Sequence, residues 1–178
     1  GKTLNAGQIC LAPDYAFVPE EKTSEFVGAA QAAVGKMFPE GLKDNDDYTS
    51  VVNQRHFDRL NSYLDDAREK GAEVIEINPQ DENFSQQPHH KMAPHIVLNP
   101  TDDMKVMQDE IFGPILPLKS YKETKDAVAY INDNPRPLGL YYFGDDANER
   151  EMVLNNTTSG GVTVNDVIFH VAQEDLPF

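Results

Sequence analysis

The chain has 178 residues, with 30 acidic against 15 basic side chains, a formal charge of −15 and a single cysteine. That excess of carboxylates repels a nucleic-acid backbone and an anionic bilayer alike, no cluster of Lys and Arg offsets it, and no apolar run approaches the roughly 20 residues of a membrane span. One cysteine excludes an internal disulfide and a multi-thiolate zinc site and fits a reducing, cytoplasmic setting, while the length fits one domain or two small ones.

In chain order, Tyr15-Ala16-Phe17-Val18 is aromatic and β-branched and reads as a buried strand ended by Pro19. Glu20 and Glu21 open a helix in which Phe26, Ala30, Ala33 and Met37 recur at three- and four-residue spacing before Pro39. Residues 39–50 combine Pro, Gly and an acidic cluster and read as loop. A second helix is predicted from Asn53 to Lys70, with Phe57, Leu60, Leu64 and Ala67 on one face and Gly71 as its left-handed stop. Strand Glu73 to Ile77 precedes a polar stretch, 78–94, rich in Pro, Gln and His and by composition the least ordered.

His95 to Leu98 is a compact strand candidate. From Met104 to Ile111 the pattern is strand-like; it turns at Gly113-Pro114 and resumes as strand from Ile115 to Tyr121. Glu123 to Asn132 reads as helix with Val128 and Ile131 inward, followed by strand Leu138 to Phe143, helix Ala147 to Asn156 and strand Gly161 to Asn165. Strands alternating with helices of about ten residues or more indicate an α/β sheet that is at least partly parallel. No G-x-G-x-x-G or Walker pattern occurs, so any nucleotide contact must come from other residues.

Cys10, in Leu4-Asn5-Ala6-Gly7-Gln8-Ile9-Cys10, is the first candidate for chemistry. Gly7 permits close backbone approach, and a cysteine near a helix start finds unpaired N–H groups able to stabilise a thiolate or an oxyanion. His89, His90 and His95 lie in or beside the Gln-rich stretch, but no cysteine or patterned carboxylate completes a metal shell, so no metal is expected. His56 falls on the second helix and is expected to be exposed. Asp44, Asp46 and Asp47 lack the glycine and terminal glutamate of a calcium loop and read as solvated, as do Asp65-Asp66, Asp102-Asp103 and Asp145-Asp146.

The run Asn5-Ala6-Gly7-Gln8-Ile9-Cys10 resembles the nucleophile motif of aldehyde dehydrogenases, Asn-x-Gly-Gln-x-Cys. Glu110-Ile111-Phe112-Gly113-Pro114 resembles their second signature, Glu-x-Phe-Gly-Pro, and Gly160-Gly161-Val162-Thr163-Val164-Asn165-Asp166 a third element. The order matches and the resemblance spans the whole chain. Ala12-Pro13-Asp14-Tyr15 and the wording through His170 are most similar to the class 3 and coniferyl-aldehyde dehydrogenase branch.

The resemblance implies an α/β three-layer sandwich, a mostly parallel sheet flanked by helices, forming one nucleophile-bearing catalytic domain over 1–178. It implies that the Cys10 thiolate attacks an aldehyde carbonyl, that the thiohemiacetal yields hydride to NAD or NADP, and that water hydrolyses the remaining thioester. The Cys10 N–H would help form the oxyanion hole, Glu110 would accept from ribose hydroxyls, and Phe112 would position the nicotinamide. Asn165 matches a position of structural support. Family members are homodimers or homotetramers. Their dinucleotide fold, Glu general base and oxyanion Asn precede the nucleophile. With no starting Met and an abrupt end at Leu176-Pro177-Phe178, the sequence therefore reads as an excised domain expected to be inactive and cofactor-free alone. Read from the residues alone, two other functions stay open. One is a cysteine hydrolase or acyltransferase in which His170 or another histidine activates Cys10; the other is a non-enzymatic acidic interaction module.

Overall fold

The computed structural model describes residues 1–175, so the Leu176-Pro177-Phe178 end lies outside the described residues. They form two compact units, Lys2–Ser120 and the residues from Tyr121 on. In the first, the elements are β1 (Ala16–Pro19), α1 (Thr23–Met37), α2 (Gln54–Glu69), β2 (Glu73–Glu76), β3 (His95–Leu98), α3 (Lys105–Gln108) and β4 (Ile115–Tyr121). The sheet order is β1-β4-β3-β2, with β3 parallel to β4 and antiparallel to β2.

Period-two alternation sends β3 side chains to two cores. Ile96 joins Leu118 of β4, Ile75 of β2 and Val34 of α1, whereas Val97 joins Ile115, Val74 and the α2 residues Leu60, Leu64 and Ala67. Both faces of the sheet are therefore covered by helix, which gives this unit the helix-sheet-helix layering implied by the motifs. Helix α2 starts where its cap residue dictates: the Asn53 side chain accepts from the His56 N–H at 3.0 Å. It stops at Gly71 (φ +88°), where Gly71 and Ala72 N–H groups donate to the carbonyls of Arg68 and Ala67.

Two local expectations are corrected and a third is narrowed. Residues 104–111 are not a strand but the single turn α3, which buries Val106 and is tied to α2 by the Lys105 N–H donating to Asp66 at 2.9 Å. Of the buried positions, Met104 and Val106 fit a period of two and Met104 and Ile111 a helical spacing of seven, and the long-range hydrogen bond to Asp66 decides between them. On α1 the inward face is Phe26, Val27, Ala30 and Val34; Ala33 and Met37 are exposed. The 78–94 stretch has no regular element, yet its end, Lys91–Pro94, is buried, and the Tyr48 hydroxyl donates to the Met92 carbonyl at 2.7 Å.

The second unit contains α4 (Thr124–Asp133), β5 (Gly139–Tyr142), α5 (Ala147–Asn156) and β6 (Gly161–Val164), with β5 and β6 parallel. Val128, Leu140, Tyr142 and Val153 form its core. Asp146, expected to be merely solvated, is the cap of α5, accepting from Asn148 and Glu149 N–H groups at 2.8 and 3.1 Å. Among the described residues no helix is long and apolar enough to cross a membrane.

Candidate active site

Asn5 and Gln8 shape the segment that leads to the cysteine. The Asn5 amide donates to the Gln8 carbonyl at 3.2 Å and the Gln8 amide donates back to the Asn5 carbonyl at 3.0 Å. Between them Asn5, Ala6 and Gly7 all adopt left-handed backbone, with φ of 49°, 50° and 71°. Asn and Gly accept that conformation readily; for the buried Ala6 it costs about 1–3 kcal/mol and persists only because its surroundings impose it. Gln8 also pins the segment sideways, donating to the Ser50 carbonyl at 3.0 Å and accepting from the Val52 N–H at 2.9 Å. Cys10 follows in a turn closed by the Ala12 N–H on the Ile9 carbonyl, and is a free, exposed thiol. It is not at a helix start, so that part of the sequence expectation is corrected.

The loop carrying Glu110 and Phe112 meets this segment directly. A Cβ on Gly7 would lie 2.4 Å from the Gly113 carbonyl oxygen, so only glycine fits. A Cβ on Gly113 would in turn lie 2.5 Å from the Leu60 side chain of α2. The glycines of the two motifs are thus explained by one close backbone stack against α2. Cys10 is three residues from Gly7, and Phe112 adjoins Gly113, so the Cα of Cys10 lies within about 11 Å of the stacked glycine.

Three polar contacts fix the same loop. Lys2 donates its ammonium to the Gly113 carbonyl at 3.1 Å, the Ile111 N–H donates to Asp14 at 3.0 Å, and Arg59 of α2 donates to the Ile111 carbonyl at 2.7 Å. The Tyr63 hydroxyl donates to Asp109 at 2.9 Å, and the Arg59 guanidinium lies 5.1 Å from the Tyr63 ring centre. Ile111 is fully buried, while Glu110 and Phe112 on either side of it are exposed, Phe112 by 41% and at φ +49°. Burial draws the Lys2 pKa from 10.5 down to about 8, with the carboxylates of Asp14 and Glu110 acting in the opposite direction. An exposed carboxylate and an exposed aromatic ring thus stand two residues apart on a loop whose backbone is held at Ile111 and Gly113, an acceptor for hydroxyl groups close to a flat apolar face.

Nothing in the sequence marks Lys2 or Arg59 as part of this arrangement. Gln8 and Asp14 are marked only by lying within the motif segments Asn5–Cys10 and Ala12–Tyr15.

Three of the histidines have other partners. The Arg59 Nε–H donates to His56 Nδ1 at 3.3 Å, leaving His56 half-buried rather than exposed. His95 is buried and its Nδ1 donates to the Ala93 carbonyl at 2.7 Å. In the other unit, His170 Nδ1 pairs with the Thr163 hydroxyl at 2.9 Å and its ring packs over Gly161. The Asn165 side chain bridges Gly144, accepting from its N–H at 2.9 Å, which joins the ends of β5 and β6. Among the described residues no group of three His, Cys, Asp or Glu is placed to hold a metal ion.

The sequence as a whole, residues 1–178, matches the aldehyde dehydrogenase family. A probable coniferyl aldehyde dehydrogenase of Caulobacter vibrioides is 65% identical over 178 residues, covering 100% of this chain and 36% of that protein. A coniferyl aldehyde dehydrogenase of a Pseudomonas species is 52% identical over 177 residues, covering 99% of this chain and 37% of its own length. Among solved structures, substrate-bound AldH of Staphylococcus aureus superposes with a TM-score of 0.88 at 33% identity, over 99% of this chain and 37% of that one. The chain spans a little over a third of the length of these relatives. With its two signature segments stacked glycine to glycine and its full length matched, this chain belongs to the aldehyde dehydrogenase family.

Proposed function

We propose that this chain is the nucleophile-bearing catalytic part of an NAD(P)-dependent aldehyde dehydrogenase, acting on aromatic aldehydes such as coniferyl aldehyde. The observation that carries the reading is the stack of Gly7 on Gly113, which joins the loop of an exposed thiol to the loop of Glu110 and Phe112. The branch-level substrate class rests on the 65% and 52% identical relatives.

The Cys10 thiolate adds to the aldehyde carbonyl carbon, and the Cys10 N–H donates to the oxygen as it takes up negative charge. The nicotinamide supplies, when bound, the acceptor for the hydride. Phe112 offers its exposed face to that ring and Glu110 accepts from ribose hydroxyls, so both act by orientation. Sulfur then leaves the acyl carbon as water attacks, returning the free thiol and the carboxylic acid. A general base for that water is expected from residues outside this chain, as is the nucleotide fold, and the isolated chain is expected to be inactive. In the whole protein a homodimer or homotetramer in the cytoplasm is the expected setting.

The test replaces the matching segment of the Caulobacter vibrioides relative with this chain and follows NAD(P)H formation with coniferyl aldehyde. Activity that falls about a thousandfold or more on Cys10→Ser supports the reading. A folded, cofactor-binding chimera that forms no NAD(P)H, or a serine variant as active as its parent, overturns it.

A further inference from the structure

We infer that Lys2 and Asp14 are positioning residues that lock the Glu110–Gly113 loop to the Cys10 segment, fixing the cofactor-facing side chains relative to the attacking sulfur. The inference rests on the proposed dehydrogenase reading for its consequence, and on the geometry alone for the lock itself.

The two residues bracket Cys10 in sequence, eight positions before it and four after. Both reach across to the same short loop, Lys2 to the Gly113 carbonyl at 3.1 Å and Asp14 to the Ile111 N–H at 3.0 Å. Their targets flank Phe112, a non-glycine residue at φ +49° whose ring is partly exposed. A side chain in that conformation relaxes unless the backbone on both sides is held, since the left-handed region is unfavourable for a residue with a Cβ. Arg59 supplies the third hold, from α2, on the Ile111 carbonyl. Arg59 fixes the loop to the scaffold, whereas Lys2 and Asp14 fix it to the nucleophile's own segment. Losing Arg59 loosens the loop; losing Lys2 or Asp14 uncouples two parts of the site that must meet the same substrate.

Charge supports the assignment. Asp14 and Glu110 both act on the Lys2 ammonium, favouring its charged form against burial, so the lysine also links a carboxylate of the nucleophile's segment to one of the 110–113 loop. A charge-assisted donor to a carbonyl is worth more than a neutral one.

The experiment uses the full-length chimera described above, with Lys2→Met, Lys2→Arg and Asp14→Ala. Hydrogen exchange by mass spectrometry, without cofactor, reads the lock directly. Asp14→Ala and Lys2→Met are expected to speed exchange in peptides covering 109–113 by about tenfold, the loss of one charge-assisted hydrogen bond, while β3 peptides stay as in the parent. Lys2→Arg, which keeps a charged donor, is expected to restore slow exchange. Steady-state kinetics read the consequence: in Lys2→Met the KM for NAD(P) rises about tenfold, whereas alkylation of Cys10 by iodoacetamide stays within about twofold of the parent.

Unchanged exchange at 109–113 in both Met and Ala variants overturns the lock, as does equal acceleration throughout the protein, which is the signature of lost global stability. Faster loop exchange with an unaltered cofactor KM overturns the positioning role. The exchange result stands even in a chimera without activity, where it is the oxidation reading that falls.

Discussion

The two faces of the four-stranded sheet are both covered, but by helices that do different work. Helix α2 buries Leu60, Tyr63, Leu64 and Ala67, and three of its side chains, Leu60, Arg59 and Tyr63, lie under or bond to residues 109–113. Helix α1 fully buries only Val34; the rest of its core is completed from elsewhere in the chain by Phe38, Leu42, Tyr48, Ile77 and Ala93. One face is a backing plate for the site, the other a cover. Damage on the α2 side should therefore reach stability and site geometry together, and damage on the α1 side stability alone.

The largest expected effect breaks or sustains that contrast. Leu60 is fully buried and touches the position where a Gly113 Cβ would sit, so Leu60→Ala is expected to cost about 2–5 kcal/mol, transfer plus cavity. Val34→Ala on α1 removes two methyl groups and is expected to cost about 1–2 kcal/mol. Urea unfolding of the two variants measures the difference, and exchange at 109–113 should rise in the Leu60 variant only. Equal costs, or a loop that stays protected when Leu60 is cut back, would show that the faces do not differ in this way.

A smaller effect uses pH. His95 of β3 lies on the α2 face, where burial holds its imidazole below the ordinary value of 6.5; the Ala93 carbonyl and Glu76 oppose that shift and Arg68 of α2 adds to it. The unfolded chain thus binds this proton more readily than the folded one. The contribution of His95 is whole above pH 6.5 and is lost progressively as pH falls below it towards the depressed folded value. His95→Asn, which keeps a donor for the Ala93 carbonyl, should flatten that part of the slope. The measurement is the difference in thermal midpoint between variant and parent from pH 7.5 down to about 5. A difference that does not change with pH would remove His95 from the account.

Legibility in the sequence followed the range of the interactions. The ends of α2 were readable because Asn53 and Gly71 act on their own neighbours. The span Ala147–Asn156 is readable too, although Asp146 has the same sequence signature as a merely solvated turn residue. Cys10, Glu110 and Phe112 stood out through motif wording, whose physical cause is the Asn5–Gln8 exchange and the Gly7–Gly113 stack. Lys2, Asp14 and Arg59 were invisible as partners, since they reach their targets across 111, 97 and 52 residues and no period or spacing encodes such a pairing. The strand reading of 104–111 failed for the same reason, because the Asp66 cap that selects the helical turn comes from 39 residues away.

The smallest effect comes from the α1 side and runs the other way. Gly28 lies within α1, on its exposed side, and a Cβ added there would meet nothing within 4 Å. Its backbone is helical, so alanine needs no change of conformation and lowers the entropy of the unfolded chain. Gly28→Ala is expected to stabilise the protein by about 0.5–1 kcal/mol. Because α1 makes none of the three polar contacts that hold Ile111 and Gly113, this gain should leave exchange at 109–113 as it was. A stiffer α1 that also slowed exchange in that loop would mean the two faces of the sheet are coupled, and the distinction between backing plate and cover would have to be given up.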